Sequence, residues 1–432
     1  MATTAVILVV SFVALLLLNV PVAVAIGVAT LLAIFSLGDV PASLVISQRM
    51  ASGIDSVNLL AIPFFVLAGH LMGRGGMAKR LIDFADALVG WLPGGLAYVT
   101  TLTCMMFGAI SGSASGAVSA IGSFMIPQMT SKGYPRDFSV ALTTTAATTG
   151  LVIPPSNIMI VYGVVASNVS IAALFLAGVV PGIVIGLFII VAAAMLCGIH
   201  GIGKVPEERN VQLWRATLTA LPSLFLVIVV LGGILGGVVT ATEASAVAVA
   251  YAYILGFWFY REVSHRDLPQ ILLESGKTTA IVMLLIGTSQ SMSWLLAHEQ
   301  IPQAVSEALL RWGESKLAVL LLINCVLLLV GTFMDMTPAV IIFTPIFLPV
   351  AMGLDVHPIH FGLIMIANLC IGLCTPPVGT CLFVGCSVGQ ISVAAASRRM
   401  IPFYIAMIMA LAVITFVPQL SLFLPRITGW LD

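Results

Sequence analysis

Apolar residues along this chain do not alternate with polar ones; they come in long blocks separated by short polar turns. Blocks of about 20 residues without a charge suit helices that cross a ~30 Å hydrocarbon core. The first half predicts such helices over Ala5–Leu18, Val22–Leu37, Val57–Met72 and Ile171–Cys197, the second over Ala244–Phe259 and Val393–Phe416. Ten-residue alternating strands are absent, which argues against a membrane β-barrel. Two stretches differ in character. In "MAKRLIDFADALVGW", Met77, Leu81, Phe84, Ala85 and Leu88 fall on one helical face, and Lys79, Arg80, Asp83 and Asp86 on the other. "IPQAVSEALLRW" repeats the pattern with Ile301, Val305, Ala308, Leu309 and Trp312. Helices of this kind, 77–91 and 301–312, lie along a membrane interface.

Four apolar blocks are interrupted, in matching pairs. "GLVIPPSN" (Gly150–Asn157) returns as "GLCTPPVG" (Gly372–Gly379), and "GAISGSASG" (Gly108–Gly116) has its counterpart in "GTFMDMTP" (Gly331–Pro338). A shift of 222 also pairs Pro127 with Pro349, Gly163 with Gly385 and Ser170 with Ser392, so the chain reads as a tandem duplication. Apolar pieces of roughly 12–15 residues flank each glycine-rich interruption, too short to span singly. Non-helical backbone at membrane depth is tolerated only inside protein or beside a cavity. Each interrupted block therefore predicts a re-entrant hairpin, at about 95–130 and about 317–350. A helix broken at Pro-Pro follows each, at about 136–168 and 357–390.

The expected fold is thus an all-α polytopic membrane protein of two repeats, 1–198 and 217–432, joined by a charged cytoplasmic linker at 199–216. Five spanning helices plus one hairpin per repeat is an odd number of crossings, so the second repeat is inverted. Composition agrees with a membrane protein: 60% of the 432 residues are hydrophobic, 8% are charged, and mean hydropathy is +1.17, where soluble chains carry roughly 25% charged residues. Zero net charge gives no reason to expect a nucleic-acid partner. With that order of crossings Arg49, Arg311, Lys316 and Arg426 fall on one side and the remaining thirteen of 17 basic residues on the other. By the positive-inside rule both termini are then external. Ala5–Leu18 lacks a basic leader and reads as a retained helix rather than a signal peptide. The seven cysteines suggest neither a disulfide framework nor a metal site; Cys370 and Cys374 share a helix face in apolar sequence without acids.

Inverted repeats with paired broken helices are the physical signature of secondary transport, with ion and substrate held where the breaks meet. Positive helix ends suit a carboxylate, and freed carbonyls with hydroxyls suit Na⁺. Ser111, Ser113 and Ser115 offer hard oxygens at the first tip, where Gly112 and Gly116 allow close backbone approach; Asp335 and Thr337 do so at the second. Ser156 and Asn157 follow Pro154 and Pro155, and Thr375 precedes Pro376 and Pro377. Asp335 is an acid in apolar surroundings, which by default marks a functional site. Glu243 instead completes a Thr-x-x-Glu capping box in "TATEA". His70 is expected to make a helix-to-helix hydrogen bond, and His357 and His360 to belong to an external loop. Asp335 has no second aspartate for a protease dyad, and no Ser–His or metal-ligand cluster lies at depth, so no enzyme is expected.

The ordered set "IPFFVLAGHLM", "GAISGSASG", "IPQMTSKGY", "GLVIPPSNIMIVYG", "SIAALFLAGVVPG", "GTFMD", "HFGLIMIANLCIGLCTPPVG" and "IPFY" resembles the large membrane subunit (DctM-like) of tripartite ATP-independent periplasmic (TRAP) transporters over nearly the whole chain. The resemblance implies an elevator-type, Na⁺-coupled importer of organic acids in a bacterial inner membrane. It implies a small four-helix membrane subunit and a periplasmic substrate-binding protein as partners. Carried onto this chain, the tips are Ser111–Ser115 and Gly331–Thr337, and the breaks are Gly150–Ser156 and Gly372–Gly379. Na⁺ is assigned to Ser111, Ser113, Gly150, Ser156, Gly331, Asp335, Thr337, Gly372 and Thr375. Ala114 stands where many members carry a second serine, and Ala241 where many carry proline. "PPSN" followed by "SIAALF" reads toward members that take sugar acids such as sialic acid rather than C4-dicarboxylates. A standalone divalent-anion/Na⁺ symporter of the same architecture is the alternative.

Overall fold

A computed structural model describes residues 2–18, 20–38, 40–167, 169–203, 213–312 and 315–431. The described chain is helical throughout, and seven of its helices are long and apolar enough to cross a membrane. Half of the predicted linker, residues 204–212, lies outside the described residues.

The first half begins with α1 (Ala2–Leu17), α2 (Val22–Phe35) and α3 (Ala42–Ile54). One turn of 3-10 helix, Val57–Leu60, leads into α4 (Ala61–Arg74), and α5 (Met77–Val89) is the amphipathic helix. A hairpin of α6 (Gly95–Ser111) and α7 (Ala114–Ser131) follows. The Pro-Pro helix is split into α8 (Arg136–Thr149) and α9 (Asn157–Val165), and α10 (Ile171–His200) ends the half.

In the second half α11 (Leu213–Leu235) and α12 (Ala241–Ile254) precede the 31-residue α13 (Leu268–His298). The amphipathic α14 (Ile301–Trp312) leads to a hairpin of α15 (Lys316–Gly331) and α16 (Met336–Gly353). Then come the split pair α17 (Pro358–Gly372) and α18 (Thr380–Gly389), α19 (Val393–Phe416) and α20 (Gln419–Ile427).

Two helices were not expected from the sequence. α3 has 13 residues, too few to span, and carries Gln48 and Arg49; α20 is short and follows Pro418. The sequence shift of 222 lays α3 and α4 together over the single α13. The two halves therefore treat the same region differently, one with a break at Asp55–Ser56 and one without.

Local chemistry explains the boundaries. Ser170 and Ser392, paired by the sequence shift of 222, each accept a backbone N–H three residues on, from Ala173 and Ala395, both at 3.3 Å, and so start α10 and α19. Ser113 does the same for α7, accepting from Gly116 at 3.1 Å. Thr240 and Glu243 form the expected reciprocal box at the start of α12, with Thr240 N–H donating to the Glu243 carboxylate at 2.8 Å. Both Pro-Pro bonds, Pro154–Pro155 and Pro376–Pro377, are cis.

The tips and breaks sit in an interlocked core. α6 packs on α8 and α15 on α17, while α7 packs on α18 and α16 on α9. Each hairpin thus touches the first half-helix of its own half of the chain and the second half-helix of the other. Glycine permits this closeness. Gly108 of α6 lies directly against Gly150, and Gly331 of α15 against Gly372, with backbone in contact and no space for a Cβ at either pair. Tyr162 of α9, fully buried, donates to the Pro358 carbonyl at 2.6 Å and ties the halves together. Around this core, α4 packs on α12 and α13, and α13 on α2 and α3, while α5 bridges α11 and α6.

Candidate functional site

A cavity of about 840 Å³ opens between the core and the outer helices. The two hairpin tips and the first residues of α9 and α18 meet on its wall. Ser111, Gly112, Ser113, Ser115, Asn157, Asp335 and Thr337 line it, together with Thr380 and Cys381. Pro154, Pro155, Ser156, Thr375, Pro376, Pro377 and Gly379 are not on the lining; they shape the breaks behind it. Gly150, Gly331 and Gly372 are likewise absent from the wall, being occupied in the paired glycine contacts.

At the first tip Gly112 adopts φ +62°, a left-handed conformation that favours glycine. Its N–H donates to the Gly108 carbonyl at 2.9 Å, closing α6. The Ser113 and Ser115 hydroxyls lie 3.3 Å apart, and the Ser111 hydroxyl is 3.4 Å from the Ser113 carbonyl. Asn157 fills the space beside Gly112, where a Cβ would stand 2.9 Å from its amide nitrogen. At the second tip Asp335 precedes α16, and its carboxylate accepts from the Thr380 hydroxyl at 3.4 Å. The Val378 N–H donates to the Thr332 carbonyl at 3.1 Å, tying the second break to its tip. Behind the first tip, Ser156 is buried and its hydroxyl has no hydrogen-bond partner among the described residues. Hydroxyls, carbonyls and one carboxylate are the donor set a hard monovalent cation takes.

The far end of the cavity is charged. His70, Arg74, Lys79 and Glu262 line it, and Arg74 makes two bonds to Glu274, at 2.9 and 3.0 Å. His70 stands 4.0 Å from the same carboxylate, so α4 meets α13 through this group. Arg80 of α5 pairs with Glu262 at 2.9 Å and lies over the Tyr260 ring. These lining residues were not singled out as a site. Thr380 alone had a signal, being the residue after Gly379 in "GLCTPPVG". His360 corrects an expectation: it is not in an external loop but buried in the first turn of α17, 3.2 Å from the Ser421 hydroxyl.

A family model described as the DctM component of tripartite ATP-independent periplasmic transporters matches residues 9–420. The chain belongs to that family. It is a TRAP large permease subunit, and not an enzyme. A protein called YgiK from Salmonella typhimurium is 48% identical over 96% of both chains. The C4-dicarboxylate TRAP large permease DctM of Rhodobacter capsulatus is 35% identical over 96% of this chain and 98% of its own. The sialic acid TRAP large permease SiaM of Vibrio cholerae is 36% identical over 88% and 89%. In fold, this chain resembles the Alcanivorax borkumensis YdaH transporter, with TM-score 0.62 over 89% of this chain and 87% of that one, at 13% identity.

Proposed function

We propose that this DctM subunit imports an organic acid with Na⁺ across a bacterial inner membrane. It does so together with a small four-helix membrane subunit and a periplasmic substrate-binding protein. The observation that carries the reading is the meeting of both hairpin tips on one cavity, with serine hydroxyls on one tip and Asp335 on the other. The two repeats are inverted and the hairpins re-entrant, α6–α7 entering from the cytoplasm and α15–α16 from outside. Both termini are then periplasmic. The end of the cavity that carries Arg74, Lys79 and Glu262 is on the cytoplasmic side, so the conformation described is open inward. The interlocked core moves as an elevator against the outer helices, with α5 and α14 as arms.

Na⁺ is held by the tips and breaks, at Ser111, Ser113, Gly150 and Ser156 in the first repeat and Gly331, Asp335, Thr337, Gly372 and Thr375 in the second. The substrate carboxylate meets the cation and the N-terminal ends of α9 and α18, with Asn157 beside it. Bases are confined to the charged end, so cations and helix ends balance the anion at the tips. A sugar acid such as sialic acid is the first candidate substrate and a C4-dicarboxylate the second. The relatives that carry these names are 36% and 35% identical to this chain, so identity favours neither.

Reconstitution with the small subunit and candidate binding proteins tests the reading by uptake of labelled acids. Moving one net charge through 100 mV supplies about 2.3 kcal/mol, nearly fifty-fold accumulation. Uptake should require Na⁺, the binding protein and an inside-negative potential. Uptake indifferent both to replacement of Na⁺ by K⁺ and to a valinomycin potential overturns the coupling; uptake that needs no binding protein favours the standalone symporter.

A further inference from the structure

A second cavity, of about 550 Å³, lies away from the tips, where the ends of five core helices converge. Its wall is built by the starts of α15 and α17, the end of α16, the end of α19 and one side of α20. Lys316, Arg426 and His357 face it, with Asp355 as the one acid on the lining. Lys316 donates to the backbone carbonyl of Asp355 at 2.9 Å, leaving two of its ammonium hydrogens uncommitted. Neither Lys316 nor Arg426 has a carboxylate partner among the described residues. The His357 ring accepts the Ile359 N–H at 3.2 Å through Nδ1, so Nε2 is left for another partner. The starts of α15 and α17 add the positive ends of two helix dipoles.

Apart from His360 and Thr415 the rest of the wall is apolar, and it continues outward. Leu317 and Met352 line the cavity while more than half exposed, and Phe416 joins them. Beside them Phe423 and Ile427 of α20 are exposed on the helix that also carries Arg426. Two cationic side chains on the wall of a largely apolar cavity fit a ligand with an anionic head and hydrocarbon tails. We propose that this cavity binds the phosphate headgroup of an anionic phospholipid, with the acyl chains along Leu317, Met352 and α20. The bound lipid rests on both arms of the second hairpin and thereby supports the tip that carries Asp335.

The test uses the purified full chain in detergent, with dioctanoyl-phosphatidylglycerol, dioctanoyl-phosphatidylcholine and inorganic phosphate as probes. Native mass spectrometry and thermal melting read binding. The phosphatidylglycerol should form a 1:1 adduct and raise the melting temperature, and the phosphatidylcholine should do so at least tenfold more weakly. The double variant Lys316→Gln/Arg426→Gln should lose this preference. Met352→Glu places a negative charge on an exposed part of the wall and should lose it while folding normally. The cationic pair Lys132 and Arg136, changed to glutamine, should leave it intact. Equal binding of both lipids, or retention of the preference by the folded Met352→Glu variant, overturns the proposal. Protection by inorganic phosphate at the same concentration overturns it too, since the site would then take free phosphate.

Discussion

Gly150→Ala concentrates the logic of the fold into one methyl group. A Cβ at Gly150 would overlap the Gly108 Cα and stand 2.6 Å from the Gly108 carbonyl carbon and 2.9 Å from the Ala109 nitrogen. All three are backbone atoms of α6, so no side-chain rotation relieves the overlap. Carbon atoms pack comfortably at about 3.5–4.0 Å, so α6 must retreat from the break by roughly 1 Å. Overpacking of this kind destabilises by about 1–3 kcal/mol. The functional loss is expected to be larger, because Ser111 lies one turn beyond Gly108 and moves with it. Misplacing a positioned site by about 1 Å lowers rates on the order of 10²-fold. Na⁺-driven uptake in proteoliposomes, at matched protein and alongside a melting temperature, should fall at least tenfold. Gly372→Ala should behave alike, since its Cβ would stand 2.6 Å from two Gly331 backbone atoms. Gly198→Ala is the control. Nothing lies within 4 Å of its Cβ position, and alanine should stabilise that turn of α10 by up to ~1 kcal/mol without changing uptake. A folded Gly150→Ala protein with wild-type uptake would refute the argument that tip and break act as one rigid unit.

Asp335→Ala should abolish Na⁺-dependent uptake, whereas Glu243→Ala, which removes the carboxylate half of the capping box, should lower the melting temperature and leave uptake per folded protein unchanged. Single cysteines at Lys132 and Asp355 should react with an impermeant reagent from the cytoplasmic and the external face respectively; labelling of both from one side sinks the inverted topology. The Arg74–Glu274 pair is about one-third exposed on each side chain, so a double-mutant cycle should give a coupling below about 1 kcal/mol, measured by melting.

Much of the architecture was legible because the relevant signals are local in the chain. Hydrophobic run length, glycine-rich and Pro-Pro interruptions and serine or threonine caps act within one or two turns. They suffice for the hairpins, the split helices and the amphipathic α5. The helices α3 and α20 escaped because each is short and partly polar, and short polar helices owe their stability to packing rather than to their own pattern. The same limit applied to His360, whose burial against Ser421 depends on α20 folding back over α17.

The site divides along similar lines. Sequence alone singled out Ser111, Ser113, Ser115, Asn157, Asp335 and Thr337, because polar atoms inside apolar runs are conspicuous. It had no means to tell the cavity wall from the framework behind it. Gly150 and Gly372 mark the start of each break in the sequence, and only the packed structure shows that their lack of a side chain admits the contact with Gly108 and Gly331. Thr380, Arg74, Lys79 and Glu262 join the cavity only through the crossing of helices distant in the chain, a choice made by packing. Local sequence sets where a helix starts, stops and breaks; only the close-packed interior, which admits a glycine pair and rejects a methyl group, decides which of those breaks meet.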